Sequence, residues 1–333
     1  MKAFLLDKYA QKAPLRLADV PMPELREDEV LIQIHATAVN VLDAKIRDGE
    51  FKPLLPYKMP LVLGHDLAGT VIRVGSKAKS FRVGDEVYSR PDDFRIGTFA
   101  EFIAVKESSV APKPKSLSME QAASLPLVAL TAWQALVEIA KLRAGQKVFI
   151  QAGSGGVGTI AIQLAKHIGA YVATTTSAAN ADWVKALGAD LVIDYKTQDF
   201  ASVLRDYDVV LNSQDAKTLE KSLTILRPGG KLISISGPPT PAFAAKAKLP
   251  WYLKPVMWGL SRSTFKKAQK RKVSYDFLFM RADGGQLREI SALIDAGHIR
   301  PVVDRTYPFE QTNEALAYVD SGRAKGKVVI KVQ

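Results

Sequence analysis

Lys147-Val148-Phe149-Ile150-Gln151-Ala152-Gly153-Ser154-Gly155-Gly156-Val157-Gly158 is the stretch that decides the fold. Its opening predicts a short apolar strand over Lys147 to Gln151. After Gly158, the residues Ile160, Ile162, Leu164, Ala165 and Ile168 recur at helical spacing. Strand, glycine loop and helix thus follow in the order a phosphate-binding βα turn requires, context that a bare glycine motif lacks. Gly153, Gly155 and Gly158 permit a tight turn, close approach of the backbone to a pyrophosphate, and close packing of helix on strand. The helix N-terminus adds its positive dipole. The loop Gly153, Ser154, Gly155, Gly156, Val157 and Gly158 is therefore expected to bind a dinucleotide.

Outward from the loop, strand and helix signals alternate. Strands are expected at Tyr171 to Thr175, Leu191 to Asp194, Val209 to Asn212 and Lys231 to Ser236, with a helix near Ala181 to Leu187. That alternation predicts an α/β unit with a doubly wound parallel sheet. The first 115 residues read differently, as short apolar runs (Val30 to His35, Leu67 to Val74, Glu86 to Ser89, Phe99 to Val105) separated by Gly, Pro and charged turns. They predict a β-rich unit. Pro112-Lys113-Pro114-Lys115 stiffens the junction, and Ser118 with Gln121 reads as a capping box, which places a boundary near residue 120. The tail reads as strand, helix and strand (Pro301 to Val303, Gln311 to Asp320, Lys327 to Val332), and periodicity leaves open which unit it joins.

Composition narrows the chemistry. At ~150 residues per domain, 333 residues suggest about two domains, and 47% apolar with 24% charged residues is globular and not disordered. No apolar run approaches the ~20 residues of a membrane span, and the apolar start is too short for a secretory signal, so a soluble cytoplasmic protein is expected. Zero cysteines exclude disulfides, thiol nucleophiles, iron-sulfur clusters and thiolate-dependent zinc sites. The net charge of +12 is localised, because Lys221 to Tyr275 holds twelve Lys or Arg and no Asp or Glu. The rest of the chain is formally neutral. Within that segment lie Leu249-Pro250-Trp251-Tyr252-Leu253, Pro255-Val256-Met257-Trp258 and Lys266 to Lys272. Aromatics beside a basic cluster fit a lid or dimer edge, a peripheral membrane contact, or a nucleic-acid contact, the last least favoured. Pro250 and Pro255 are expected to interrupt any long amphipathic helix there.

A site that prefers NAD usually carries Asp or Glu about 20 residues past the glycine loop, at the end of the second strand. Here the stretch is Ala173-Thr174-Thr175-Thr176-Ser177. With no carboxylate, and with small hydroxyls that can accommodate a 2′-phosphate, NADPH is the expected cofactor. Ser177, Asn180 and Lys185 are candidate partners for it.

Several further segments carry a family resemblance. They are Ala38-Val39-Asn40-Val41-Leu42-Asp43, Gly64-His65-Asp66-Leu67-Ala68-Gly69-Thr70-Val71, Val83-Gly84-Asp85-Glu86-Val87, Ala122 to Leu127, Leu130-Thr131-Ala132-Trp133 and Gly326-Lys327-Val328-Val329. With the glycine loop they span nearly the whole chain, and it resembles the zinc-free quinone oxidoreductase branch of the medium-chain dehydrogenase/reductase superfamily, close to zeta-crystallin and the plant alkenal/enone reductases. The resemblance implies a GroES-like catalytic domain from residues 1–120 and 300–333, a Rossmann domain over 121–299, and a homodimer. Zinc-dependent relatives ligate metal at the positions of Asn40, His65 and near Leu127. Two of those three ligands are missing here, so no metal is expected and His65 reads as a packed or hydrogen-bonded histidine. The resemblance also implies that Asn40 and Asp43 lie near the nicotinamide, that Tyr57 is a candidate donor, and that Thr131, Tyr195 and Arg323 contact the cofactor. Asn40 and Asp43 equally suit the cap of a following helix. Phe51 stands where several relatives carry a tyrosine proposed as proton donor. The function implied is NADPH-dependent hydride transfer to quinones or conjugated enones. The alternative is a non-catalytic NADPH-binding protein that acts at a membrane or on RNA through residues 242–275.

Overall fold

The computed structural model describes residues 1–246 and 250–333, so Leu249 of the first aromatic cluster lies outside the described residues. Two compact units divide the chain, residues 1–130 with 281–333 and residues 131–280. These divisions differ from those expected at 120/121 and 299/300, for a local reason. The helix Gly284–Asp295 packs on the first unit through backbone so close that a Cβ on Gly284 would stand 2.3 Å from the Val110 carbonyl oxygen. Tyr88 also donates its hydroxyl to the Leu287 carbonyl at 2.6 Å.

The first unit is built on a sheet that runs, edge to edge, Val303–Pro308, Lys327–Lys331, Glu29–Val39, Asp66–Val74, Glu86–Ser89 and Val110–Pro112, with Phe102–Lys106 also paired to Glu29–Val39. Val30, Ile32, Ile34, Leu67, Val71, Val87, Ile103 and Val105 form its apolar core. Glu29–Val39 is longer than its expected apolar run, and is buried along nearly its whole length. The tail joins this unit: Lys327–Lys331 lies antiparallel to Glu29–Val39, with Val328 opposite Val39 and Lys331 opposite Ala36.

The second unit holds six parallel strands in the order Leu191–Asp194, Tyr171–Thr176, Lys147–Ile150, Tyr207–Asn212, Leu226–Ser234 and Ser274–Phe277. Numbered within the unit this is 3-2-1-4-5-6, the doubly wound order whose ligands bind beyond the carboxyl ends of the strands, at the point where the order reverses. The glycine loop follows the strand Lys147–Ile150 at that point. The helix after it, Gly156–Ile168, buries Ile160, Ala161, Ile162, Leu164 and Ala165, and stops at Gly169, whose φ of 89° is a left-handed cap that favours glycine.

One expectation fails here. Leu253–Lys270 is a continuous helix of 18 residues in spite of Pro255. Pro255 is the third helical residue, in the first turn, where a backbone N–H has no intrahelical acceptor to lose.

Candidate active site

In the first unit the residues singled out by sequence converge on the start of one short helix. Asn40 caps Val41–Arg47 with an extended backbone, and its N–H donates to the Asp43 carboxylate at 2.8 Å. The other Asp43 oxygen lies 2.6 Å from His65 Nδ1, and both side chains are fully buried. An ionised carboxylate only accepts, so Nδ1 carries the shared proton. His65 Nε2 is buried without a hydrogen-bond partner among the described residues. Asn40 and Asp43 thus cap the helix and join His65 in one buried cluster.

Sequence reasoning did not assign roles to the two charged residues that complete the cluster. Asp66, fully buried, accepts from Asn40 Nδ2 at 2.8 Å and from the Leu127 backbone N–H at 2.7 Å. Lys327, 5% exposed, donates from Nζ to Asp66 at 3.1 Å, to the Val39 carbonyl at 3.1 Å, and to Asn40 Oδ1. Both stood inside quoted motifs, Gly64-His65-Asp66 and Gly326-Lys327, but 261 residues separate them and no spacing links them. Their pairing depends on the register that sets Lys327–Lys331 beside Glu29–Val39, itself paired with Asp66–Val74.

Tyr57 is half-buried and belongs to a neighbouring group. Its hydroxyl donates to the Asp93 carbonyl at 2.5 Å. Burial pushes the phenol pKa well above its ordinary value. Arg90, fully buried, pairs with the Asp93 carboxylate.

The donor set does not suit the zinc ion that related proteins hold. A catalytic zinc needs about three converging deprotonated ligands. Here Asn40 turns an N–H toward Asp66 Oδ2, the lysine ammonium donates to that same oxygen, and the Leu127 N–H takes the other. No group of three or more His, Cys, Asp or Glu among the described residues is placed to hold a metal.

In the second unit the glycine loop is pinned by its neighbouring strand. Gly153 N–H donates to the Thr175 carbonyl at 2.9 Å, Ala152 N–H to Thr175 Oγ1 at 3.2 Å, and Thr174 Oγ1 to the Ile150 carbonyl at 2.6 Å. A Cβ on Gly153 would meet Thr174 Oγ1 at 2.3 Å, and one on Gly158 would meet the Ala152 carbonyl oxygen at 2.3 Å. A Cβ on Gly155 would meet only the Ala152 oxygen, at 3.3 Å. Two glycines are therefore demanded by packing, while the third faces the open side that a pyrophosphate needs. The residues fit a dinucleotide. Beneath the loop, Gln151 Oε1 accepts from Asn212 Nδ2 at 2.7 Å, and Asn212 Oδ1 accepts from Ser234 Oγ at 2.6 Å. This buried ladder, absent from the sequence reading, ties together three strand ends.

Thr176 ends the second strand with a buried Oγ1 that has no partner among the described residues, and Ser177 Oγ accepts from Asn180 Nδ2 at 3.2 Å. Lys185 is exposed on the next helix. Tyr195 is exposed just past the third strand, and Thr131 is buried in the helix Pro126–Trp133. Arg323 is an exposed residue of the first unit, shortly before the strand Lys327–Lys331.

Comparison with known proteins agrees along the length. Residues 26–115 match the family described as alcohol dehydrogenase GroES-like domain, and residues 187–330 the family described as zinc-binding dehydrogenase. The mouse mitochondrial NAD(P)H oxidoreductase RTN4IP1 is 36% identical, over 100% of this chain and 89% of its own. The Arabidopsis thaliana chloroplastic NADPH-dependent alkenal/one oxidoreductase is 33% identical, over 99% and 79%. Among solved structures, the quinone oxidoreductase from Coxiella burnetii superposes with a TM-score of 0.87 at 30% identity, over 100% of this chain and 99% of that one.

A Rossmann sheet with a fitted glycine loop, in a chain that also carries a GroES-like unit with a buried donor cluster, defines a nicotinamide-dependent oxidoreductase. The chain belongs to the quinone oxidoreductase and alkenal/one reductase branch of the medium-chain dehydrogenase/reductase superfamily.

Proposed function

We propose that the protein uses NADPH to reduce quinones or the conjugated carbon-carbon double bond of α,β-unsaturated carbonyls. The observation that carries the acceptor class is the donor set around Asn40. An amide and an ammonium can donate hydrogen bonds, but they polarise an isolated carbonyl far less than a metal does. The acceptor must therefore spread its own charge, as a quinone does, or an enone that takes hydride at its β-carbon and becomes an enolate.

The cofactor, when bound, supplies the hydride. Asn40 supplies the oxygen-facing donor: one amide hydrogen goes to Asp66 at 2.8 Å, while the other makes only a 3.4 Å contact with the Ala38 carbonyl and is free for a better acceptor. The Lys327 ammonium on Oδ1 polarises that amide, which strengthens its N–H donors. Phe51 offers no proton, so the α-carbon of an enolate takes its proton from solvent or from a loosely placed group.

The cofactor preference is supported by the strand end Thr174-Thr175-Thr176-Ser177, which holds no carboxylate to compete with a 2′-phosphate. The named relatives are oxidoreductases, which favours turnover over a binding-only role.

A panel of quinones, enones and saturated ketones assayed with NADPH and NADH tests the reading. Quinones and enones should turn over, saturated ketones should not, and NADPH should bind more tightly. Rapid reduction of a saturated ketone would overturn the acceptor class, and comparable dissociation constants would overturn the cofactor preference. Asn40→Ala should lower turnover much more than cofactor affinity.

A further inference from the structure

The helix Leu253–Lys270 is amphipathic in the wrong sense. Toward the rest of its unit it presents Met257, Ser261, Thr264 and Ala268, a stripe at spacings of four, three and four with two hydroxyls in it. Ser261 meets the need of its own hydroxyl by donating to the Met257 carbonyl at 2.7 Å. The large apolar residues point out: Val256, Trp258 and Leu260 are 55%, 53% and 58% exposed, and Trp251 and Tyr252 just before them 79% and 56%. Six of the fourteen exposed large hydrophobics among the described residues lie between Trp251 and Phe265. Single exposed apolar residues need no explanation, but a contiguous group rimmed by charge does.

The charge is arranged along the axis. The aromatic group occupies the N-terminal half, and Arg262, Lys266, Lys267 and Lys270, followed by Arg271 and Lys272, occupy the C-terminal half. Lys267 pairs with Glu220, and the Arg262 guanidinium sits 4.8 Å over the Trp258 ring. Lys266, Lys270, Arg271 and Lys272 have no acidic partner among the described residues. The 18-residue helix is roughly 27 Å long, so both halves can meet one surface.

We propose that this face docks the protein on an anionic lipid bilayer. Trp251, Tyr252 and Trp258, with Val256 and Leu260, enter the boundary between headgroups and acyl chains, where amphipathic aromatic rings are favoured. The lysines and arginines beside them meet the acidic headgroups, and they belong to the stretch Lys221 to Tyr275 that carries the whole formal excess charge of the chain. Nucleic acid fits less well, because outward Val256 and Leu260 gain nothing from a phosphate backbone. A second copy of the chain fits less well, because the contact would bury Lys266, Lys270, Arg271 and Lys272, which have no acidic partner on this face to meet them. The inference does not depend on the acceptor proposed above.

Flotation of the full chain with vesicles tests it, comparing phosphatidylcholine alone with phosphatidylcholine containing phosphatidylserine. Binding should be about tenfold or more tighter to the serine-lipid vesicles and should weaken as salt is raised. Tryptophan emission should shift to the blue and be quenched by brominated lipid. Trp251→Ser with Trp258→Ser should abolish the quenchable fraction and most of the flotation, and Lys266→Gln with Lys270→Gln should remove the preference for anionic lipid. Both pairs are exposed, so melting temperature and turnover of a water-soluble quinone should stay as in the parent. Absence of flotation with anionic vesicles would overturn the proposal, as would equal partition of the parent and the tryptophan variant. So would an RNA duplex that displaces the vesicles at equal concentration, or a dimer in solution that Trp258→Ser dissociates.

Discussion

Lys327→Met would leave the Asp66 carboxylate buried without the cation that faces it, and removing one partner of such a pair is far worse than never having had either. A loss of about 3–5 kcal/mol is expected, read as a lower denaturation midpoint with an unchanged slope in urea. Adding Asp66→Asn should return part of it, because the two side chains share one network. Tyr57 makes the opposite case. Its proton is already given to the Asp93 carbonyl and burial raises its pKa, so it is a reluctant acid. Tyr57→Phe should lower turnover by only ~10- to 100-fold, the low end of what a general acid contributes, and should leave the alkaline limb of the rate profile in place. A total loss would make it an obligatory donor. The cap formed by Asn40 and Asp43 was legible because it is a local motif, whereas Tyr57, singled out as a matched position, lies in a neighbouring group with Asp93. Lys327 was visible only as a letter in a motif, since its role exists only once strands from the two ends of the chain are paired.

The glycine loop separates residues that look alike in sequence. Gly155→Ala places its methyl on the open side and should fold with a nearly unchanged melting temperature while weakening nicotinamide binding at least tenfold. Gly158→Ala drives the methyl to 2.3 Å from the Ala152 oxygen and should instead destabilise the protein before any ligand is added. Thermal melts with and without cofactor distinguish the two, and equal behaviour would mean that the loop is less rigid than its hydrogen bonds require. Element boundaries show the same contrast between local and non-local causes. Glu86–Ser89 and Leu191–Asp194 were read to the residue, because short apolar runs between turn residues announce themselves. Leu253–Lys270 was misread. Its proline sits where a helix tolerates one, and its buried stripe is made of small and hydroxylic residues that no hydrophobic period reveals.

Taken whole, the protein should lose stability in alkali before any single group explains it. Burial pushes the hydroxyls of Tyr57, Tyr88 and Tyr275 well above the ordinary phenol range and that of Tyr207 up to about 12. In the unfolded chain these phenols ionise near pH ~10, so the unfolded state releases protons first. Stability is therefore flat with respect to these groups below that pH and falls as pH rises beyond it toward the folded values. Tyrosinate absorbance and loss of circular dichroism should rise together, and tyrosinate formed at full ellipticity would refute the account. At this level the two-unit plan was legible, since a change from scattered short strands to alternating strand and helix marks it. The placing of Gly284–Asp295 was not, because its packing on Val110 is a matter of backbone proximity. The pairing of Lys327 with Asp66 and Asn40 also imposes an order of events. A ribosome delivers Asn40 and Asp66 early, and the lysine that neutralises Asp66 only 261 residues after it. Until that last strand emerges, the nascent unit holds an acidic pocket with no counter-charge and a sheet with an open place beside Glu29–Val39. Chains stalled upstream of Gly326 would be the form most in need of a chaperone, because the cluster around Asn40 and Asp66 waits on a strand far from them in sequence.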